Sequence, residues 1–186
     1  MCKSLLFLLS VILILFLASC NKPVPLKIQN LMVSPVGGTY TTAQNVSITC
    51  ATPNAEIRYT LDETEPSTSS TLYTGAINIS SSKILKAKAF KPTWTDSDTV
   101  SQAYTLKVQS PVMDPVGGTY TDAQNVTITC ETSDAEIRYT LDGSEPSKSS
   151  ILYTGTINIS DPTTIKAKAF KPGWTESDTV SQAYIF

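Results

Sequence analysis

The chemistry open to this chain is narrowed first by what its 186 residues lack, since there is no histidine among them. That excludes Ser-His-Asp and Cys-His nucleophilic pairs and any His-ligated metal site. Carboxylates, cysteines and aromatics remain. Glycoside hydrolysis would need two carboxylates facing each other across a cleft. Glu56 and Glu136 are the strand-borne candidates, but Arg58 and Arg138 follow two residues later on the same face. A surface ion pair is the simpler assignment, and no catalytic residue is assigned. Further acids gather in loops, at Asp62, Glu63 and Glu65, at Asp142 and Glu145, at Asp96 and Asp98, and at Glu176 and Asp178. Hard oxygen ligands of this kind suit Ca²⁺, yet none has EF-hand spacing. Turns in which Asp62 and Asp142 accept backbone N–H bonds account for them, so neither metal nor cofactor is expected. Trp94 and Trp174 sit in equivalent loops and are the candidate ligand-binding residues, as flat apolar faces on which a pyranose ring could stack. The alternative is that each folds onto the end of its own domain. The formal charge of −2 and the lack of a basic block argue against a nucleic-acid partner.

These residues come in pairs because the chain repeats itself. SPVGGTYTTAQNVSITC from Ser34 recurs as DPVGGTYTDAQNVTITC from Asp114. AEIRYTLD recurs at Ala55 and Ala135, KAKAFKP at Lys86 and Lys166, and SDTVSQAY at Ser97 and Ser177, always 80 residues apart. Within each copy the apolar period is two. Ile57, Tyr59 and Leu61 alternate with Glu56, Arg58 and Thr60, and Leu85, Ala87 and Ala89 alternate with Lys86, Lys88 and Phe90. Such stretches, cut by turn residues such as Gly37-Gly38 and Asp142-Gly143, read as half-buried antiparallel strands. About seven short strands per copy predict an all-β chain of two tandem immunoglobulin/fibronectin type III-like β-sandwiches. The repeats span residues 25–104 and 105–186. Nothing resembling a Gly/Ser or Pro-rich linker separates them, which predicts a stiff junction. Cys50 and Cys130 end equivalent alternating stretches and are expected as reduced core thiols. Phe90 and Phe170 fall opposite the apolar face, either exposed as part of a contact patch or covered by the neighbouring loop.

The N-terminus is an address. Lys3 precedes an apolar run from Leu5 to Ala18, too short for a membrane-spanning helix. The run ends Leu17-Ala18-Ser19-Cys20, which resembles the lipobox of bacterial lipoproteins. The resemblance implies a signal peptide over 1–19, lipidation of Cys20, and a tether over 20–24. It further implies a lipid-anchored place in the bacterial cell envelope, at the outer membrane if the cell is diderm. Multiple acyl chains give durable anchoring where one does not.

The order PVGGTY, a VTITC-type strand, YTLDGSEP, LYTG, INIS, KAKAFKPGW and SDTVSQAY resembles the chitobiase/β-hexosaminidase C-terminal domain. That resemblance covers nearly all of residues 26–186, twice, and implies a fibronectin type III-like sandwich that accompanies other activities. The second copy keeps YTLDGSEP intact, whereas the first reads YTLDETEP with Glu63 for glycine. If that position needs positive φ, Glu63 costs roughly 1 kcal/mol relative to glycine. The expected role is non-catalytic, as a binding or spacer protein anchored in the membrane by lipid. Glycan binding through the loop aromatics and adhesion to a host or partner protein are the alternatives.

Overall fold

A computed structural model describes residues 24–186. The proposed signal segment and Cys20 lie outside these residues. The period-two segments are strands, and each copy builds two stacked sheets. In the first copy β1 (Leu31–Ser34), β3 (Gln44–Cys50) and β6 (Ile77–Ile79) form a three-stranded antiparallel sheet. The facing sheet runs in the order β2 (Gly38–Tyr40), β8 (Val100–Leu106), β7 (Lys83–Phe90), β4 (Glu56–Thr60) and β5 (Thr71–Leu72), with β2 parallel to β8. The second copy repeats this arrangement. There β9 (Val112–Asp114), β11 (Gln124–Thr129) and β14 (Ile157–Ile159) form the smaller sheet. β10 (Gly118–Thr119), β16 (Val180–Ile185), β15 (Thr163–Phe170), β12 (Glu136–Thr140) and β13 (Ile151–Leu152) form the larger. Each copy therefore has eight strands instead of about seven. The edge strands β2 and β5, with three and two residues, are too short to show an alternation.

The apolar face of each alternating segment points between the sheets. Val46, Ile48, Ile77 and Ile79 from one sheet meet Leu85, Ala87, Ala89 and Tyr104 from the other, and all are buried. A separate cluster of Val126, Ile128, Ile157, Ile159, Ile165, Ala167 and Tyr184 fills the second copy. Each half thus closes its own interior. The two deepest tyrosines still satisfy their hydroxyls, as Tyr104 donates to the Pro35 carbonyl and Tyr184 to that of Pro115, both at 2.7 Å. Burial pushes the Tyr104 hydroxyl up to about 12 and shifts Tyr184 in the same direction.

Cys50 and Cys130 are free thiols, as expected, but they sit at the edge of the core instead of inside it, with Cys50 packed against it. Each sits half-buried where its strand leaves the interior. The sulfurs donate to the Gln29 carbonyl at 3.6 Å and the Gln109 carbonyl at 3.2 Å. Alternation gave them the right face, but the core ends one pair of residues earlier.

The two sandwiches share one residue. At the end of β8, Leu106 donates its N–H to Ser82 Oγ of the first copy at 2.9 Å. Its carbonyl accepts the N–H of Thr175 of the second copy at 2.7 Å. Two residues on, Val108 donates to the Thr175 carbonyl at 2.9 Å. The chain therefore passes from one sandwich into the other with hydrogen bonds on both sides and no free linker.

Candidate functional site

The Trp-bearing loops follow β7 and β15. Each is a tight turn in which the Trp94 or Trp174 N–H donates to the carbonyl of Lys91 or Lys171 at 3.1 Å. The lysine ammonium lies over the indole, 4.3 Å from the ring centre at Lys91 and 4.9 Å at Lys171. It also donates to a loop carbonyl, Pro53 at 2.9 Å in the first copy and Ser133 at 2.8 Å in the second. Both indoles are half-buried, and Trp94 packs against the first core. The two do not come together. Trp94 stands at the end of the first sandwich where Leu26 and Ile28 bond to Thr95. Trp174 stands at the junction, where its ring N–H donates to the Ser80 carbonyl of the first copy at 2.9 Å. Beside it the Ser82 N–H donates to the Gly173 carbonyl, also at 2.9 Å. Trp174 is thus engaged in joining the sandwiches.

The strand carboxylates pair as their spacing implies. Glu56 lies 2.8 Å from Arg58 and Glu136 lies 2.8 Å from Arg138. Each guanidinium also donates to a serine carbonyl, Ser70 at 3.1 Å or Ser150 at 3.2 Å. The loop aspartates form the expected turns. Asp62 accepts the backbone N–H and hydroxyl of Thr64 at 3.2 and 2.6 Å, and Asp142 accepts those of Ser144 at 3.0 and 2.5 Å. These bonds, the side-chain one foremost, hold both carboxyls below the usual carboxylate range. In the same turns Glu63 has φ of 68° and Gly143 has φ of 75°, so the left-handed position inferred from YTLDGSEP is present in both copies. Among the described residues no group of three or more His, Cys, Asp or Glu side chains is arranged to hold a metal ion.

Of the two alternatives for Phe90 and Phe170, cover by the neighbouring loops is the one observed. Phe170 is only 7% exposed and Phe90 is half-buried, because loop residues cover this face of the larger sheet. Sequence reasoning did not anticipate a groove here, since its walls come from segments far apart in the chain. It is open in the first copy, at about 630 Å³, and reduced to about 210 Å³ in the second. A second concavity beside the YTLD turn is shallow and nearly the same in both, at about 470 and 450 Å³.

Fold and sites together define a protein of two tandem immunoglobulin/fibronectin type III-like β-sandwiches. Residues 35–101 and again 115–181 match the chitobiase/β-hexosaminidase C-terminal domain family, and the chain belongs to that family. No curated protein matches it. Among solved structures it is similar to the fibronectin(III)-like modules of Clostridium thermocellum CbhA, at 17% identity and a TM-score of 0.29. That similarity covers 84% of this chain and 93% of the other. It is also similar to murine CEACAM1b, at 11% identity and a TM-score of 0.27, covering 86% of this chain and 99% of the other.

Proposed function

We propose that the chain is a non-catalytic, lipid-anchored protein of the bacterial cell envelope whose two sandwiches act as one stiff presenter of binding surfaces. The junction carries this reading. Leu106 is bonded to both copies, and Trp174 and Gly173 clamp the Ser80–Ser82 turn. A unit meant to hold a surface at a set distance needs such a joint, whereas free linkers let domains reorient. The anchor is supplied by Cys20 at the end of the apolar run. From Cys20 to Val24 the chain reaches at most about 17 Å, so the first sandwich stands close to the headgroups. The non-catalytic part is supported by the way the strand carboxylates are spent on arginines at 2.8 Å. The partners are the membrane, through the lipid, and a glycan or protein ligand at the sandwich surface.

Intact-mass measurement of the protein from bacterial membranes tests the anchor. The expected result is a chain beginning at Cys20 and carrying acyl mass that Cys20→Ser abolishes. A soluble, unmodified product would refute it. Small-angle scattering tests the joint, with a profile of one elongated body expected.

A further inference from the structure

The groove on the outer face of the larger sheet differs between the two copies. In the first copy the half-buried Phe90 lines it, with the Lys88 ammonium 5.9 Å from the ring centre, and Pro66 and Pro92 line it as well. Its volume of about 630 Å³ falls within the roughly 300–1,000 Å³ typical of small-ligand sites. The counterpart in the second copy, at about 210 Å³, falls below that range.

The lining differs at three positions, since Asn54, Thr68 and Asp96 of the first copy become Asp134, Lys148 and Glu176 in the second. Where the first copy has Asp96, the second has Glu176, one methylene longer. Glu176 reaches Lys168 at 2.5 Å, while Asp96 stays 3.9 Å from Lys88. Where the first has Thr68, the second has Lys148, which lines the remnant beside Phe170. Lys148 thus occupies the remnant in the second copy, and the Glu176–Lys168 pair draws together where Asp96 and Lys88 stand apart.

The open groove also has its polar groups in place before any ligand arrives. Glu56 is held by Arg58 at 2.8 Å, and Lys91 is tied to the Pro53 carbonyl at 2.9 Å. Proline walls and tethered charges lower the ordering cost of binding. The formal charges on the lining cancel, since Glu56 and Asp96 oppose Lys88 and Lys91. A charged ligand gains no net attraction there. What fits is a molecule with an apolar face for the ring and many neutral hydroxyls for the carboxylates, ammoniums and the Asn54 amide.

We propose that the Phe90 groove of the first sandwich is a binding site for a short neutral oligosaccharide. A pyranose ring lays its C–H face on Phe90. Its hydroxyls donate to Glu56 and Asp96 and accept from Lys88 and Lys91. The site lies apart from the indole of Trp94, which is packed against the core under Lys91. The inference names a ligand class for the presenter role and rests on the reading that the sandwiches bind.

The test is titration of the full chain in detergent with neutral glucan, mannan, xylan and N-acetylglucosamine hexasaccharides, followed by amide chemical shifts and calorimetry. Saturable shifts centred on Phe90, Lys91 and Asp96 are expected with at least one of them, at one site per chain. Phe90→Ala weakens that binding by roughly tenfold, and Phe170→Ala leaves it unchanged. If Phe90→Ala does not fold, Thr68→Lys with Asp96→Glu carries the test, because it closes the groove with residues the second copy already accommodates. The reverse set, Asp134→Asn, Lys148→Thr and Glu176→Asp, raises the stoichiometry to two. No saturable shift with any of the four, or binding undiminished in the closed-groove variant, overturns the proposal. So does preference for a uronate-containing hexasaccharide. Acylation of Cys20 is scored separately by mass, so loss of the sugar site and loss of the anchor are told apart.

Discussion

The loops Lys91-Pro92-Thr93-Trp94 and Lys171-Pro172-Gly173-Trp174 share a backbone and differ in surroundings. Thr93 and Gly173 have φ of 69° and 76°, so both hold a left-handed conformation. A Cβ on Gly173 would lie 2.9 Å from the Cβ of Ser81 in the first sandwich. The glycine is therefore required by the neighbouring domain. The first copy tolerates threonine at the same φ. The receiving turn shows the same logic. Ser82 gives its N–H to Gly173 and its Oγ accepts the Leu106 N–H, whereas the second copy has Pro162 there, with no N–H to give. These two differences between near-identical repeats thus report where each copy sits in the array.

Gly173→Thr breaks this comparison most severely. Thr93 proves that the loop accepts threonine, so the added cost comes from the crowding against Ser81. About 3 kcal/mol of junction stability should go, with the scattering profile shifting to two reorienting bodies. Thr93→Gly should leave the profile unchanged and raise the melting temperature of the first sandwich.

Ser82→Pro comes next. Pro162 shows that proline suits the turn, so the loss of about 2 kcal/mol reflects the missing bonds to Gly173 and Leu106. Pro162→Ser should be close to neutral in the same denaturant melts. Equal effects from both would mean that the turn, not the joint, is being measured.

The YTLD turns give a smaller contrast. Glu63→Gly should stabilise the first sandwich by about 1 kcal/mol, and Gly143→Glu should destabilise the second by a similar amount.

The acid dependence should be smallest. Asp62 and Asp142 have carboxyls lowered from 3.8 by their turn bonds. A lowered folded value means the contribution is complete above the unfolded value and is lost as pH falls through the folded one. Denaturant melts below pH 4 should therefore weaken less steeply in Asp62→Ala and Asp142→Ala than in the parent chain.

The sandwiches were legible in the residues themselves. Side-chain alternation is a local property, so Ile57-Tyr59-Leu61 and Leu85-Ala87-Ala89 declared their inner face without knowledge of their partners. The left-handed turn at Glu63, the Glu56–Arg58 pair and the Asp62 turn were legible for the same reason, as each spans only a few residues. Where Trp174 goes was not. Its indole meets Ser80, 94 residues away, and an identical Lys-Pro-X-Trp motif in the first copy meets nothing comparable among the described residues. Nor was the open Phe90 groove, which exists because Asn54, Pro66 and Asp96 arrive from three separate connections. Alternation settles the face a side chain takes within its own strand. Which loop meets which across the sandwich depends on how the sheets stack, and that geometry belongs to the folded chain alone.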